Sequence, residues 1–451
     1  MTTPSLTLLR KLRGNAIIAA HLLGERRAAF AARAELDARR DRRIRRIVRY
    51  AARHVPYYRD WFAVAGIDPR SVRGAAQLAR LPILDREVVR AAPERFVAGT
   101  RAARDALEFT TSGSTGVALR VLHDRRSLLA NIAWGERERA PAIAACGGSF
   151  RPSELYIGYE TSTFKAVTAF YEESTLLPVR PRRRFVALQT PIEEIVRIAN
   201  DERPDLLVGY GGWIDLFLRT VSARHLDLHR PKLVLYMGEA LPHGARALIE
   251  EEFGIPVLSR YNAVEAFKIG FLCEHRTGFH LHEDLCHVRV VGQGGRDLGD
   301  GEPGQVVVSN LVNRATVLLN YPLGDLAAFA PGPCPCGRTQ RLLSELEGRV
   351  EDVLPLADGR FVHPRAVWQA LKGDRSVLQY QLTQHELRRF SLRLVAADDA
   401  AFDRAATRAR RELAALLGSD ARIDIDRQAE LDRRAGGKFR AVRSLCAPSA
   451  T

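Results

Sequence analysis

The sequence predicts an α/β fold in which one large domain with mostly parallel sheets precedes a small α+β unit. From about residue 108, short apolar segments alternate with helical stretches, and several of the apolar segments end in glycine. After residue 349 the pattern changes, because apolar residues alternate around 390–394 and 423–425 and flank a helical stretch at 399–417. The length of 451 residues and a hydrophobic content of 46% suit such a globular protein.

We expect three units along the chain: an N-terminal helical segment at 1–60, a large domain at 61–349 and a small C-terminal domain at 350–451. Residues 1–55 predict two helices. A proline and four aromatic residues at 54–62 predict a packing hub that seats these helices on the large domain. The apolar stretch within 8–23 is too short to span a bilayer and no clear cleavage site follows it, so we expect an amphipathic helix.

The formal net charge is +15, and its densest part lies in the predicted second helix. Apolar residues at helical spacing separate the arginines there, so the arginines form one polar face: Arg39, Arg40, Arg42, Arg43, Arg45, Arg46 and Arg49. This face is either solvated or a docking surface for an acidic partner. No fingerprint of a nucleic-acid-binding module accompanies it, so we expect no nucleic-acid partner.

Six cysteines in so long a chain do not predict a disulfide framework. With no transmembrane segment expected, the cytoplasm is the predicted compartment. Oligomeric state is not readable from the sequence.

Residues 110–116 combine threonine, serine and glycine in one short run, which predicts a loop that wraps phosphate oxygens with N–H and O–H donors. The lysine-ended phosphate loop of common nucleotide-binding folds does not match, because Val117 follows Gly116. A cation for this loop has to come from elsewhere in the chain.

Glycine-rich and polar residues follow three predicted strands, at 206–210, 233–237 and 255–258. Ligands of parallel sheets bind at the carboxyl ends of the strands. We therefore expect residues 209–212, Gly238, Glu239 and Tyr261 to surround a common cavity.

Five motifs occur in a characteristic order, at 111–116, 261–265, 321–325, 348–352 and 436–440. In this order they resemble the adenylate-forming superfamily of acyl-CoA synthetases and adenylation domains. Residues 54–62, 81–82, 273–274 and 333–339 are similar to the branch of phenylacetate-CoA ligase and coenzyme F390 synthetase-related proteins. The resemblance spans roughly residues 45–445. It implies a large N-terminal adenylate-forming domain with a β-subdomain and a small mobile C-terminal domain.

The resemblance also implies an ATP site. The residues that it assigns to ATP are Thr111, Ser112, Gly113, Ser114, Thr115, Gly116, Gly238, Glu239, Ala240, Tyr261, Asn262, Asp325 and Arg349. Tyr261 would stack on adenine, while Asp325 and Arg349 would hold the ribose. Glu265 would bind Mg²⁺, which prefers oxygen ligands.

Lys438 is the cation that the resemblance supplies, bridging the attacking carboxylate and the α-phosphate. The C-terminal domain would rotate about a hinge at Glu351 and Asp352 to serve two half-reactions. This chain departs from common family residues at Glu351, at Asn262 and at Val117.

For the acid, we expect an acyl pocket lined by Tyr210, Gly211, Trp213 and Phe267, whose aromatic rings and small neighbours favour an aromatic carboxylate. Trp213 and Phe267 are equally explained as core residues. Two thiols at 334 and 336, Cys273 and a histidine, His280 or His282, have the ligand types of a structural zinc site, with unliganded thiols as the alternative.

The predicted function is ATP-dependent activation of a carboxylic acid, such as a hydroxybenzoate or phenylacetate, to an acyl-adenylate. The acyl group would then pass to the thiol of coenzyme A or an acyl carrier protein, with release of AMP and pyrophosphate. Two alternatives remain open: an amide-forming ligase, and a catalytically impaired homologue that docks through its basic helix.

Overall fold

The computed structural model describes residues 4–111, 119–149, 151–176, 182–241, 243–344, 346, 348–349, 352–362, 364–371, 377–431 and 439–446. Helices lead the chain: α1 (Pro4–Leu22), α2 (Glu25–Ala28), α3 (Arg33–His54), α4 (Pro56–Ala65), α5 (Ala75–Leu78), α6 (Arg86–Ala91) and α7 (Arg101–Arg104). The two predicted N-terminal helices correspond to α1 and α3. Among the described residues, the structure contains no helix that is both long and apolar enough to cross a bilayer.

Helix α3 divides its arginines between the protein body and solvent. Its apolar face, including Ile44 and Val48, is buried. Arg33 pairs with Glu283 (Nη1 to Oε2, 2.6 Å) and Arg43 pairs with Asp284 (Nη1 to Oδ2, 3.2 Å), whereas three further arginines are exposed: Arg42, Arg46 and Arg49. Part of the basic face therefore attaches the helix to the large domain, and the exposed remainder stays available for either predicted role.

The aromatic segment forms helix α4, which begins at Pro56. The buried Tyr58 hydroxyl donates to the carbonyl of Val317 (3.3 Å) and accepts from the N–H of Leu319 (2.9 Å). The neighbouring Tyr57 ring stacks on Phe96 at 4.4 Å between centroids. These contacts confirm the predicted packing hub.

The largest sheet has eight strands in the order β13-β9-β8-β7-β6-β5-β3-β4. Their bounds are β3 (Ser153–Gly158), β4 (Arg182–Ala187), β5 (Leu206–Gly209), β6 (Leu233–Met237), β7 (Val257–Tyr261), β8 (Gly270–Leu272), β9 (Phe279–Leu281) and β13 (Leu342–Leu343). Strands β4, β3, β5, β6 and β7 run parallel, and the remaining pairs are antiparallel. The prediction of a mostly parallel sheet is confirmed.

Helices pack around this sheet: α8 (Arg125–Trp134), α9 (Glu136–Ala145), α10 (Thr163–Ser174), α11 (Ile192–Glu202), α12 (Gly211–Ala223) and α13 (His243–Glu252). Their apolar side chains and the strands form contiguous cores on both faces. Such coverage explains why the central strands β5 and β6 are continuous apolar runs.

Two smaller β-structures complete the large domain. Strands β1 (Leu107–Thr110) and β2 (Arg120–His123) pair antiparallel on either side of residues 111–119. A second sheet has the order β10-β11-β12-β14, from β10 (Cys286–Val291), β11 (Gly304–Asn310), β12 (Tyr321–Ala327) and β14 (Gly348–Arg349). This sheet fits the expected β-subdomain, and it positions Asp325.

The C-terminal part has a core of its own. It consists of β15 (Leu354–Pro355), β16 (Phe361–Val362), α14 (Pro364–Leu371), β17 (Val377–Glu386), β18 (Arg389–Ala396), α15 (Asp399–Leu417), β19 (Arg422–Arg427) and β20 (Val442–Ser444). The helix predicted at 399–417 is α15, and Asp398 caps it by accepting from the N–H of Ala401 (2.7 Å). The exact domain boundaries stay predictions.

Candidate active site

A cavity of about 1210 Å³ lies where the carboxyl ends of the parallel strands meet helices α8, α10 and the C-terminal part. Tyr210 follows β5, Gly238 and Glu239 follow β6, and Tyr261 ends β7; all four line the cavity. Since carboxyl ends of parallel strands share one edge of a sheet, distant sequence positions come together here. The predicted common cavity is confirmed for these four residues and for Gly212, whereas Gly209 and Gly211 do not line it.

Backbone geometry at this edge requires glycine twice. Gly238 has a φ of +79°, and a Cβ there would lie 3.0 Å from the Tyr210 ring. At Gly211, a Cβ would come within 2.7 Å of the carbonyl oxygen of Ala240. Helix α12 therefore starts in close contact with the loop after β6, which shapes the cavity wall.

A hydrogen bond between Tyr261 and Asp325 joins the two sheets at the cavity wall. The Tyr261 hydroxyl donates to Oδ2 of Asp325 at 2.6 Å. Tyr261 is the last residue of β7, and Asp325 lies on β12, where it pairs with the backbone of Arg349 on β14. Three of the residues that the family resemblance assigned to ATP are thus neighbours. With Gly238, Glu239 and Ala240, Tyr261 and Asp325 form what we call the strand-edge side of the cavity.

Asn262 and Glu265 belong to the turn after β7, and both line the cavity. In the orientation that satisfies its amide, Asn262 donates to the carbonyls of Tyr261 (3.0 Å) and Phe267 (2.9 Å). Asn262 therefore stabilises the turn after β7. The partly exposed carboxylate of Glu265 is of the hard-oxygen type that Mg²⁺ binds.

The predicted phosphate loop and the predicted lysine fall mostly outside the described residues: Ser112, Gly113, Ser114, Thr115, Gly116, Val117, Glu351 and Lys438. Thr111, at the base of the loop, lines the cavity and binds Leu119 twice, through its own N–H (2.9 Å) and its hydroxyl oxygen (2.9 Å). Strands β1 and β2 thus hold the two described ends of this stretch, Thr111 and Leu119, next to each other.

Phe439, the residue after Lys438, reaches the same site from the C-terminal part. Its backbone N–H donates to Oε1 of Glu239 at 2.9 Å, and its side chain lines the cavity. Arg440 pairs with the predicted hinge residue Asp352 (Nε to Oδ1, 2.5 Å). Phe439 is therefore held against the strand-edge side.

The predicted acyl-pocket residues divide into two groups. Tyr210 and Phe267 line the cavity. Gly211 contacts the loop after β6, and Trp213 is 4% exposed and stacks on Phe217 at 5.1 Å. Placing Trp213 in the pocket was wrong, because α12 begins at Gly211 and its rotation turns Trp213 into the core.

A second part of the wall, which we call the helical side, contains the predicted Phe267 together with residues that sequence reasoning missed. It is formed by α8, α10 and the turn after β7, through Asn131, Ile132, Tyr171, Phe267 and Lys268. Asn131 donates to the Tyr171 hydroxyl (3.1 Å), and the Phe267 ring meets His123 edge-on at 4.2 Å between centroids. The signal that could have revealed this wall is Lys268, a lone cation in an otherwise largely apolar stretch.

Lys268 belongs to a buried charged cluster. Its Nζ lies 2.8 Å from Oε2 of Glu138, which also contacts Arg260 (3.5 Å) and, through Oε1, His282 (3.0 Å). Burial alone would raise the pKa of Glu138, but Lys268, His282 and Arg260 together lower it well below its ordinary value. Glu138 is therefore a carboxylate at neutral pH.

The cysteine cluster lies at the β9–β13 edge of the large sheet. One ligand atom from each of Cys273, His280, Cys334 and Cys336 lies within 4.8 Å of the others. The two closest pairs are the sulfurs of Cys273 and Cys334 (3.5 Å) and the Cys336 sulfur with Nε2 of His280 (3.4 Å). His282, the alternative ligand, instead faces Glu138. The donor set and spacing fit a tetrahedral zinc site.

Comparisons with known proteins agree with this geometry, although no family model matches the chain. The chain is 27% identical to phenylacetate-coenzyme A ligase of Thermus thermophilus over 376 residues, which are 78% of each protein. To the enzyme of the same name from Escherichia coli it is 25% identical over 343 residues, 71% of this chain and 72% of the relative.

Among solved structures, 2-hydroxyisobutyryl-CoA ligase in its postadenylation state matches 93% of this chain and 91% of its own, with 19% identity and a TM-score of 0.73. The same ligase in its thioesterification state gives a TM-score of 0.58. The structure of this chain is therefore more similar to the postadenylation state of that ligase than to its thioesterification state. In sequence the chain is thus similar to phenylacetate-coenzyme A ligases, and its fold is that of the solved CoA ligase structure.

Proposed function

We propose that this protein is an ATP-dependent acid–thiol ligase that activates an aromatic carboxylic acid and transfers the acyl group to a thiol. The observation that supports this proposal most directly is the hydrogen bond from the backbone N–H of Phe439 to Glu239. It places the residue that follows Lys438 at the strand-edge side. The curated relatives are named as phenylacetate-coenzyme A ligases, and one of the solved structures is an anthranilate CoA ligase with a TM-score of 0.53 and 15% identity.

In the first half-reaction, the carboxylate of the acid attacks the α-phosphate of ATP and pyrophosphate leaves. ATP would occupy the strand-edge side, with adenine beside Tyr261 and Gly238 and the ribose hydroxyls at Asp325 and Arg349. Residues 111–116 would hold the outgoing phosphates with backbone and hydroxyl donors. Glu265 would hold Mg²⁺, which neutralises phosphate charge when bound.

Lys438 would act at the bond that forms. A positioned ammonium group between the attacking carboxylate oxygen and the α-phosphate stabilises charge that develops in the transition state. The contact between Phe439 and Glu239 and the pairing of Arg440 with Asp352 both support this role, since they hold the flanking residues at the cavity.

In the second half-reaction, a thiol displaces AMP from the acyl-adenylate. Coenzyme A is the acceptor in the names of the relatives, and we propose it for this chain, with an acyl carrier protein as the alternative. Rotation of the C-terminal part about Glu351 and Asp352 would remove Lys438 and admit the thiol.

Pyrophosphate exchange into ATP tests the first half-reaction directly. We expect exchange that depends on an added aromatic acid and is weaker with fatty acids and amino acids. Acid-dependent AMP release with coenzyme A, and its absence with an amine acceptor, would then separate the thiol ligase from an amide-forming ligase. A lack of exchange with all three classes of acid would contradict the proposal.

We also propose that Cys273, His280, Cys334 and Cys336 hold a structural zinc ion, which would link the β9 edge to the segment around 334–336. The catalytic residues assigned above lie elsewhere, so this zinc would stabilise the fold and take no part in the reaction. About one zinc per chain in elemental analysis, lost in Cys334→Ser together with part of the thermal stability, is the expected result. Protein purified without any bound metal at full stability would contradict it.

A further inference from the structure

The helical side of the cavity is mostly apolar but also contains a largely buried cation. Ile132, Val167, Val264 and Phe267 supply apolar surface. Lys268 lines the same cavity, and its side chain is 12% exposed. An ammonium group has three N–H donors, and within the described part of the chain Lys268 finds one acceptor, Oε2 of Glu138. Further donors of Lys268 are therefore available to a molecule in the cavity.

The charges around Lys268 do not balance. Lys268 and Arg260 both face the single carboxylate of Glu138, and the imidazole of His282, which contacts the same carboxylate, supplies no negative charge. The Nε of Arg260 is buried and has no hydrogen-bond acceptor among the described residues. This cluster therefore carries one excess positive charge at the cavity wall.

Neighbouring charged groups do not remove the excess. Behind the cluster, Arg137 and Arg43 face Asp284 and Glu25, which is a balanced set. On the wall itself, Arg139 pairs with Glu136 (2.7 Å). A buried charge is costly unless a partner compensates it, and a ligand in the cavity can be that partner.

We propose that Lys268 determines substrate specificity by binding a hydrogen-bond acceptor on the acid, remote from the carboxylate that reacts with ATP. Two groups provide this chemistry, a phenolic hydroxyl oxygen and a second carboxylate. This inference rests on the proposed function and deepens it, because it names the substrate class as acids with an acceptor at the far end. Val264 and Phe267 would contact the apolar body of such an acid.

Matched pairs of acids test the proposal in the pyrophosphate exchange assay. Phenylacetate is compared with 4-hydroxyphenylacetate and 4-carboxyphenylacetate, and hexanoate is compared with adipate. We expect kcat/KM to be at least about tenfold higher for one acceptor-bearing acid than for its unsubstituted partner, because a site that binds a polar group discriminates against analogues without it. Whether the hydroxyl or the carboxylate gives the larger ratio identifies the acceptor.

Lys268→Met keeps the length of the side chain and removes its donors. We expect this variant to lose the preference by about tenfold or more while it retains exchange with the unsubstituted acid. Lys268→Met leaves the Glu138 carboxylate without its ammonium partner, and the double variant Glu138→Gln/Lys268→Met provides a second test in which no buried carboxylate depends on that partner. Lys232→Met, an exposed lysine that pairs with Asp205, is the matched control and should keep the wild-type ratio.

A change in this ratio separates a role in specificity from a role in folding, since a structural defect lowers exchange with both acids of a pair. A wild-type protein that prefers the unsubstituted acids, or a Lys268→Met or double variant with an unchanged ratio, would overturn the inference and leave the proposed function intact. Exchange with none of the acids would instead contradict the proposed function, and the inference with it.

Discussion

The two sides of the cavity are built by different means. On the strand-edge side, consecutive residues after β6 and β7 supply the wall, and Gly238 and Gly211 are required by backbone geometry. On the helical side, single side chains from α8, α10 and the turn after β7 meet, and a buried ionic cluster holds Lys268. Backbone geometry suits a ligand common to a whole family, whereas individual side chains can change with the substrate.

The comparison therefore predicts that changes on the two sides affect different parameters. Substitutions on the strand-edge side should act on ATP, and substitutions on the helical side should act on the acid or on stability. Four single substitutions test this division, and they are described from the largest expected effect to the smallest.

Glu138→Ala should have the largest effect, on the stability of the helical side. It would leave Lys268, Arg260 and His282 buried without their shared carboxylate, which costs about 3–5 kcal/mol of unfolding free energy. Urea unfolding measures this loss. The matched control is Glu35→Ala, which removes an exposed carboxylate that pairs with Arg39 and should cost less than about 1 kcal/mol. Equal losses in the two variants would contradict the role of the buried cluster.

Lys438→Ala should abolish most adenylation without affecting stability. Loss of charge stabilisation in the transition state corresponds to a reduction of about a hundredfold or more in exchange rate. Thioester formation from a supplied acyl-adenylate should remain close to that of the wild type, since the lysine would have left the site. If both half-reactions fall equally, the proposed role of Lys438 is wrong.

Tyr261→Phe should weaken ATP binding and leave the acid largely unaffected. It removes the 2.6 Å hydrogen bond to Asp325, and hydrogen bonds to charged groups contribute about 1.5–3 kcal/mol. We expect the KM for ATP to rise about tenfold or more, in steady-state assays with the acid saturating. A selective rise in the KM for the acid would contradict the division between the two sides.

Tyr171→Phe should have the smallest effect, and on the opposite substrate. It removes the hydroxyl that accepts from Asn131 on the helical side, and a neutral hydrogen bond contributes about 1 kcal/mol. The KM for the acid should therefore change a few-fold while the KM for ATP stays unchanged. Measuring the KM for ATP and the KM for the acid in both Tyr261→Phe and Tyr171→Phe checks whether the two sides of the cavity serve different substrates.

Much of the fold followed from local patterns. Strands β3, β5, β6 and β7, helix α15 and the hub around Tyr58 match their predictions, because periodicity and turn residues act over short stretches of chain. Strand β4 was not predicted, since it begins with three arginines. The prediction failed at Trp213, where one residue of helical rotation separates the cavity wall at Gly212 from the core. Sequence spacing alone does not give the rotation of a helix relative to its neighbours.

The sequence by itself gave rise to the resemblance to adenylate-forming ligases, since the order of its five motifs and their residue types do not depend on contacts. Only the tertiary structure decided which distant residues meet. It paired Glu138 with Lys268, 130 residues apart, directed His280 to the cysteines and His282 to Glu138, and brought Phe439 to Glu239. The physical reason is that ion pairs and ligand clusters depend on distances of a few ångströms between side chains, which packing sets and local sequence does not encode.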